Sequence, residues 1–166
     1  MSLSVPESSN AESAYLGLPF PSRLKFDREA EAVASFLSSA AGPLARALGA
    51  EHLNAAARVS AIGGGRAAAL VVEIHATDDD ERRATLEVRR ALDRWLASEP
   101  SNDELATLQR SAAERALSES LDPRRRIVDL WRGAPPWPPL SRSSVRAFQA
   151  LLSTAPRVVV YVAHRD

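Results

Sequence analysis

The chain has 166 residues, 45% of them hydrophobic and 25% charged. That balance supports one domain with a real core and excludes a disordered chain. Its 21 basic and 21 acidic residues cancel, which argues against a nucleic-acid binder with its usual basic excess. There is no cysteine, so disulfides, thiolate metal sites and cysteine nucleophiles are excluded. No run is long and apolar enough to span a bilayer. The first residues lack the basic-then-apolar pattern of a signal peptide.

Residues 1–13 are rich in Ser, Glu and Asn and read as a flexible lead-in or linker remnant. Residues 14–166 read as a single domain. Tyr15 to Leu18 predicts a short strand, ended by Pro19 and Pro21, which cannot donate to a ladder. Asp27 is placed to cap a helix whose inward stripe is Ala30, Val33, Ala34, Leu37 and Ala41. Gly42-Pro43 breaks that helix and opens a short one carrying Leu44, Ala47 and Leu48, closed by Gly49.

Two alternating runs follow. Ala55 to Ile62 sets Ala57, Val59 and Ala61 against Arg58 and Ser60; Ala67 to Ala76 sets Leu70, Val72 and Ile74 against Val71, Glu73 and His75. The Gly63–Gly65 turn between them predicts an antiparallel hairpin with one buried face. Thr77 to Asp80 is an N-cap cluster for a helix reaching Ser98, with a stripe through Leu86, Leu92, Trp95 and Leu96. Ser101 and Glu104 form a capping box for a helix through Leu105, Leu108, Ala112 and Ala116 toward Leu121. Pro123 begins a further segment to Trp131. Gly133 to Pro139 predicts an extended, proline-rich loop. Ser141 caps a last helix with Val145, Phe148, Leu151 and Leu152 inward, and Arg157 to Ala163 is a β-branched strand. Helices do not alternate singly with strands. The expected class is therefore α+β, a largely antiparallel sheet with helices packed on one face.

No residue set completes a chemical site. His52, His75 and His164 fall on a loop, a strand and the chain end, with no pair at metal-ligand spacing. Asp78 to Glu81 lacks the glycine and distal glutamate of a calcium loop and suits a helix N-terminus. Gly63-Gly64-Gly65-Arg66 precedes a strand and lacks the Lys-Ser/Thr of a phosphate loop. Arg124 to Arg126 is a basic run at a helix start, suited to solvent or to an acidic partner. No serine lies in a nucleophile elbow. The expectation is thus no catalytic, cofactor-binding or metal residue in this chain.

Several segments in order resemble the C-terminal, non-catalytic domain of the insulinase/pitrilysin family of zinc peptidases, including the mitochondrial processing peptidase-like bacterial proteins. They are Ala14 to Pro21, Gly42-Pro43-Leu44, the strand pair through Val59-Ser60-Ala61 and its glycine turn, the helix start Ser101 to Leu105, and the closing strand Val158 to Val162. The resemblance implies a processing-peptidase-like α/β roll. It implies pairing with a zinc-bearing domain or subunit whose His-x-x-Glu-His helix activates water, with peptide as substrate; the charge balance and the lack of a spanning run give the expectation of no nucleic-acid and no membrane partner. In that family the paired domain supplies an Arg and a Tyr that grip the substrate. Here Ala50 and Ala57 fall at those places, and Glu51-His52 has Leu48 where a first histidine would stand. The expected function is a non-catalytic accessory domain that shapes a peptide chamber, inactive alone, with zinc in the partner. The alternatives are the substrate-side half of an active two-subunit peptidase, or a binding module for acidic ligands.

Overall fold

Four strand-forming runs pair into one antiparallel sheet, and helices from the segments between them pack on one of its faces. The computed structural model of the protein describes residues 11–21, 24–64, 67–77, 79–132 and 140–163. In chain order these are β1 (Ala11–Pro21), α1 (Leu24–Ser38), α2 (Pro43–Ala50), β2 (Ala55–Gly64), β3 (Ala67–Ala76), α3 (Glu81–Ala97), α4 (Asn102–Leu121), α5 (Pro123–Arg132), α6 (Arg142–Ser153) and β4 (Val158–Ala163). The sheet order is β2-β3-β1-β4, with every neighbouring pair antiparallel. The α+β expectation and its element order hold.

β1 runs through both prolines instead of stopping at them, and begins at Ala11 within the segment expected to be a lead-in. Its partner β4 reaches only Gly17, whereas β3 continues opposite Pro19 and Pro21. The prolines therefore sit where β1 has a neighbour on one side only, which is where a missing N–H is tolerated. The hairpin closes with Gly64 opposite Ala67. Gly65, Arg66, Asp78 and the expected loop Gly133 to Pro139 lie outside the described residues.

Leu16, Leu18, Leu70, Val72 and Ile74 point from the sheet into a core completed by the helices. Phe20 meets Phe148 of α6 edge-on, ring centroids 5.3 Å apart, a favoured aromatic geometry. α1 is buried on a wider arc than its predicted stripe. Ala32 and Phe36 are buried as well as Ala30, Val33, Ala34 and Leu37, because α1 packs on β2, α4 and α6 at once. Ala41 falls beyond the helix end and is exposed. α1 begins at Leu24, so Asp27 stands inside its first turn and not before it. At Gly42 a Cβ would lie 2.5 Å from the Phe36 carbonyl oxygen. Only glycine permits the chain to turn so closely from α1 into α2.

α3 buries Ala84, Val88, Ala91, Leu92, Trp95 and Leu96, whereas Leu86 is 46% exposed. Counting back from Leu92 in helical steps gives Val88 and Ala84, so the smaller residues carry the stripe and Leu86 lies off it. The Ser101–Glu104 capping box forms as expected, Ser101 Oγ accepting from Glu104 N at 3.2 Å and Glu104 Oε2 from Ser101 N at 3.0 Å. Ser141 caps α6, accepting from Ser144 N. One buried polar residue escaped the pattern. Gln149 is fully buried in α6 and donates to the Trp95 carbonyl at 2.7 Å, tying α6 to the end of α3.

Candidate functional site

The sequence candidates that fall among the described residues have definite places. α2 does not stop at Gly49; it runs to Ala50, and the left-handed residue that ends it is His52, at φ 53°. His52 N donates to the Gly49 carbonyl at 3.1 Å and Leu53 N to the Leu48 carbonyl at 3.1 Å. That pair of bonds is the Schellman helix stop. Leu48 and Leu53 are buried beneath it. His52 is exposed, and Glu51 lies near Arg83 at 3.9 Å.

Zinc fits poorly here. The position three residues before Glu51 is Leu48, which is 3% exposed and belongs to the core. His52 is placed by the turn that stops α2. His75 lies on β3, and His164 is outside the described residues. Among the described residues, no three His, Asp or Glu side chains gather as a metal would require.

Ala50 ends α2 exposed, and Ala57 packs against the core from β2 opposite Ile74. Neither presents a polar atom to a substrate. The acidic cluster before α3 caps only in part. Asp80 makes no capping hydrogen bond to α3; its Oδ1 lies 3.8 Å from Arg83 Nη1 on that helix, and its Oδ2 accepts from Asn54 N at 3.0 Å, joining α3 to the start of β2. The Thr77 carbonyl accepts from both Asp80 N and Glu81 N. Arg124 and Arg126 are exposed on α5.

The sheet face away from the helices holds a polar group that the sequence did not reveal. Ser13 stands opposite His75, and Tyr15 opposite Glu73, which also faces Arg58 of β2. Tyr15 Oη donates to Glu73 Oε1 at 2.8 Å. His75 Nε2 lies 3.3 Å from the same oxygen, and His75 Nδ1 lies 3.1 Å from Ser13 Oγ. The Tyr15 phenol is held above its usual range, first by its hydrogen bond to Glu73, then by desolvation and the Glu73 charge; a Ser13 hydrogen bond pulls the other way. Ser13 and His75, 62 residues apart in sequence, are thus hydrogen-bonded across two strands, with the Glu73 carboxylate beside the far side of the imidazole. The signal available beforehand was only the spacing of Glu73 and His75, which puts both on one face.

Ser13 belongs to β1, an inner strand paired with both β3 and β4, with a register shift between Ala11 and Ser13 on the β4 side. The His75 side chain is 54% exposed on a flat face. The same face also carries exposed apolar side chains: Val160 opposite Tyr15, Val158 opposite Gly17, and Ile62 on β2 opposite Ala69.

No family model matches the sequence, and no curated protein matches it. Solved structures do match in fold. A protease from Helicobacter pylori superposes with TM-score 0.69 at 13% identity, over 90% of this chain and 41% of that one. An inactive peptidase domain from Bordetella parapertussis gives 0.65 at 14% identity, over 92% of this chain and 95% of that one. An M16 peptidase inactive domain from Pseudomonas fluorescens gives 0.61 at 14% identity, over 95% of this chain and 43% of that one. The chain has the M16 peptidase-domain fold. It is one such domain in extent, spanning less than half of the Helicobacter and Pseudomonas chains. The M16 fold accounts for the sheet order and the helical layer together. At these identities it shows architecture, not chemistry.

Proposed function

We propose that the chain is a non-catalytic accessory domain of a zinc-metallopeptidase-like protein, packing against a zinc-bearing M16 partner domain to form a peptide-holding chamber. The observation that carries this reading is the likeness to the Bordetella domain, which is itself inactive and matches over nearly the full length of both chains. The family resemblance supports it: carried onto this chain, the family's zinc-binding histidine falls on Leu48, and its peptide-holding arginine and tyrosine fall on Ala50 and Ala57. The open sheet face supports the packing: Val160 lies opposite Tyr15, Val158 opposite Gly17, and Ile62 is exposed further along on β2, on a surface without a helical cover among the described residues. A partner element laid there would remove apolar surface from water.

The test joins zinc content to peptide cleavage. The purified chain, dialysed against zinc, is expected to retain no stoichiometric metal and to leave a quenched peptide mixture intact. It is also expected to co-purify with a zinc-bearing M16 chain from the same genome. Zinc-dependent cleavage that persists through repurification and is lost in His75→Ala would overturn the reading.

A further inference from the structure

α5 presents Ile127 and Trp131 to water. Its ten residues, PRRRIVDLWR, carry four arginines and one aspartate. Asp122 starts the helix firmly, its Oδ1 accepting from Arg124 N at 2.9 Å and its carbonyl from Arg126 N at 3.0 Å, with Pro123 at the first position. Steps of three and four residues put Ile127 and Trp131 at the middle of the apolar arc. That middle should face the core. Instead Ile127 is 67% and Trp131 86% exposed. Just before α5, Leu117 and Leu121 lie one turn apart on α4 and are 63% and 74% exposed. Half of the large exposed hydrophobic side chains among the described residues therefore fall in this short stretch.

We infer that α5 is a docking surface for an anionic phospholipid bilayer, lying in the headgroup layer with Trp131 and Ile127 inward. The charge pattern selects this occupant. Arg124 precedes Ile127 by three residues and Trp131 by seven, so the cation shares their face. Inside an apolar protein groove that guanidinium would be a buried, unpaired charge. At a lipid interface it reaches phosphates while the indole and the isoleucine enter the acyl boundary. Arg126 is exposed at the flank of the arc, and the sequence adds Arg125 and Arg132. The absence of a bilayer-spanning helix among the described residues is a separate matter, since a surface-lying helix spans nothing. This inference does not rest on the proposed pairing with a peptidase domain.

The test is co-sedimentation of the full 166-residue chain with phosphatidylcholine vesicles, with and without phosphatidylglycerol. The chain is expected to sediment with the anionic vesicles only, and less as salt rises. With Trp137 replaced by Phe, the emission of Trp131 is expected to shift to the blue on those vesicles, Trp95 being already buried. Arg124→Gln and Arg126→Gln should each weaken binding about fivefold. The double variant Ile127→Ser/Trp131→Ser should abolish it with an unchanged melting temperature, because both side chains are exposed. Failure to sediment with anionic vesicles, or undiminished sedimentation of the double variant, overturns the inference. So does salt-sensitive binding to polyglutamate without a blue shift on vesicles, which would indicate an acidic protein partner. Self-association of the chain abolished by the same double variant would overturn it in favour of a second copy.

Discussion

Ser38 closes the free edge of the sheet at Val59. Its hydroxyl accepts from Val59 N at 2.7 Å and donates to the Val59 carbonyl at 3.1 Å. Among the described residues β2 is an edge strand, and an edge with unpaired N–H and C=O groups is a template for another strand. One side chain from the last residue of α1 takes both groups at the middle of that edge. A peptide adding to β2 would first have to displace it, which agrees with a domain that shapes a chamber without itself gripping substrate.

Ser38→Ala is therefore expected to destabilise the chain by about 1–3 kcal/mol, since two backbone groups lose their partner. For a domain of this size the melting temperature should fall by about 2–12 °C. Hydrogen exchange at the Val59 amide should rise more than at Val72, which pairs inside the sheet. Equal protection of Val59 in both proteins would show that the hydroxyl does not seal the edge.

His52 holds a left-handed conformation that costs a residue with a Cβ about 1–2 kcal/mol. Glycine adopts it freely but loses more freedom on folding. His52→Gly is expected to stabilise the chain by about 0.5–1 kcal/mol, read as a rise in melting temperature of about 1–4 °C. Destabilisation instead, or a melting temperature that depends on zinc in the parent and not in the variant, would give His52 a role beyond stopping α2.

How far the fold was legible depended on the local signal. β3 was clear because Leu70, Val72 and Ile74 alternate with Val71, Glu73 and His75 without a break, and period two has one interpretation. The Ser101–Glu104 box was clear because a cap is a contact between near neighbours. The end of α2 was misplaced: glycine is the usual stop, but the Schellman bonds set the end at His52. β1 was cut short because proline penalises a strand only where a ladder needs its N–H, and where β4 ends is a tertiary fact. The Ser13–His75–Glu73 contact was invisible for the same reason. Two strands had to be brought into register before those side chains met.

Leu86 and Leu92 make the clearest test of that distinction, being the same residue on one helix. Leu92 is fully buried and Leu86 is half exposed. Leu92→Ala should cost about 2–5 kcal/mol, the usual range for a cavity in a packed core. Leu86→Ala should change stability by roughly 0.5 kcal/mol or less, as exposed substitutions do. Comparable losses in the two urea unfolding curves would mean that α3 presents a different face to the sheet.

Tyr15 and Glu73 couple across the open face, and the sign of their pH effect follows from the phenol. Because Tyr15 titrates above its ordinary value of 10.0 in the folded chain, folding favours its protonated form. The stabilisation is then fully present below about pH 10 and is lost as pH rises through the folded value. Phenolate absorbance is expected to show one tyrosine titrating late. That step should vanish in Tyr15→Phe and move down toward the ordinary value in Glu73→Gln, where both the acceptor carboxylate and its charge are gone. A late step unmoved by Glu73→Gln would assign the shift to burial and remove Glu73 as its principal cause. Covering this face with a partner should push the step later still, since desolvation disfavours the phenolate further. The titration of Tyr15 thereby reports, within a mixture, whether the open face of the sheet has been occupied.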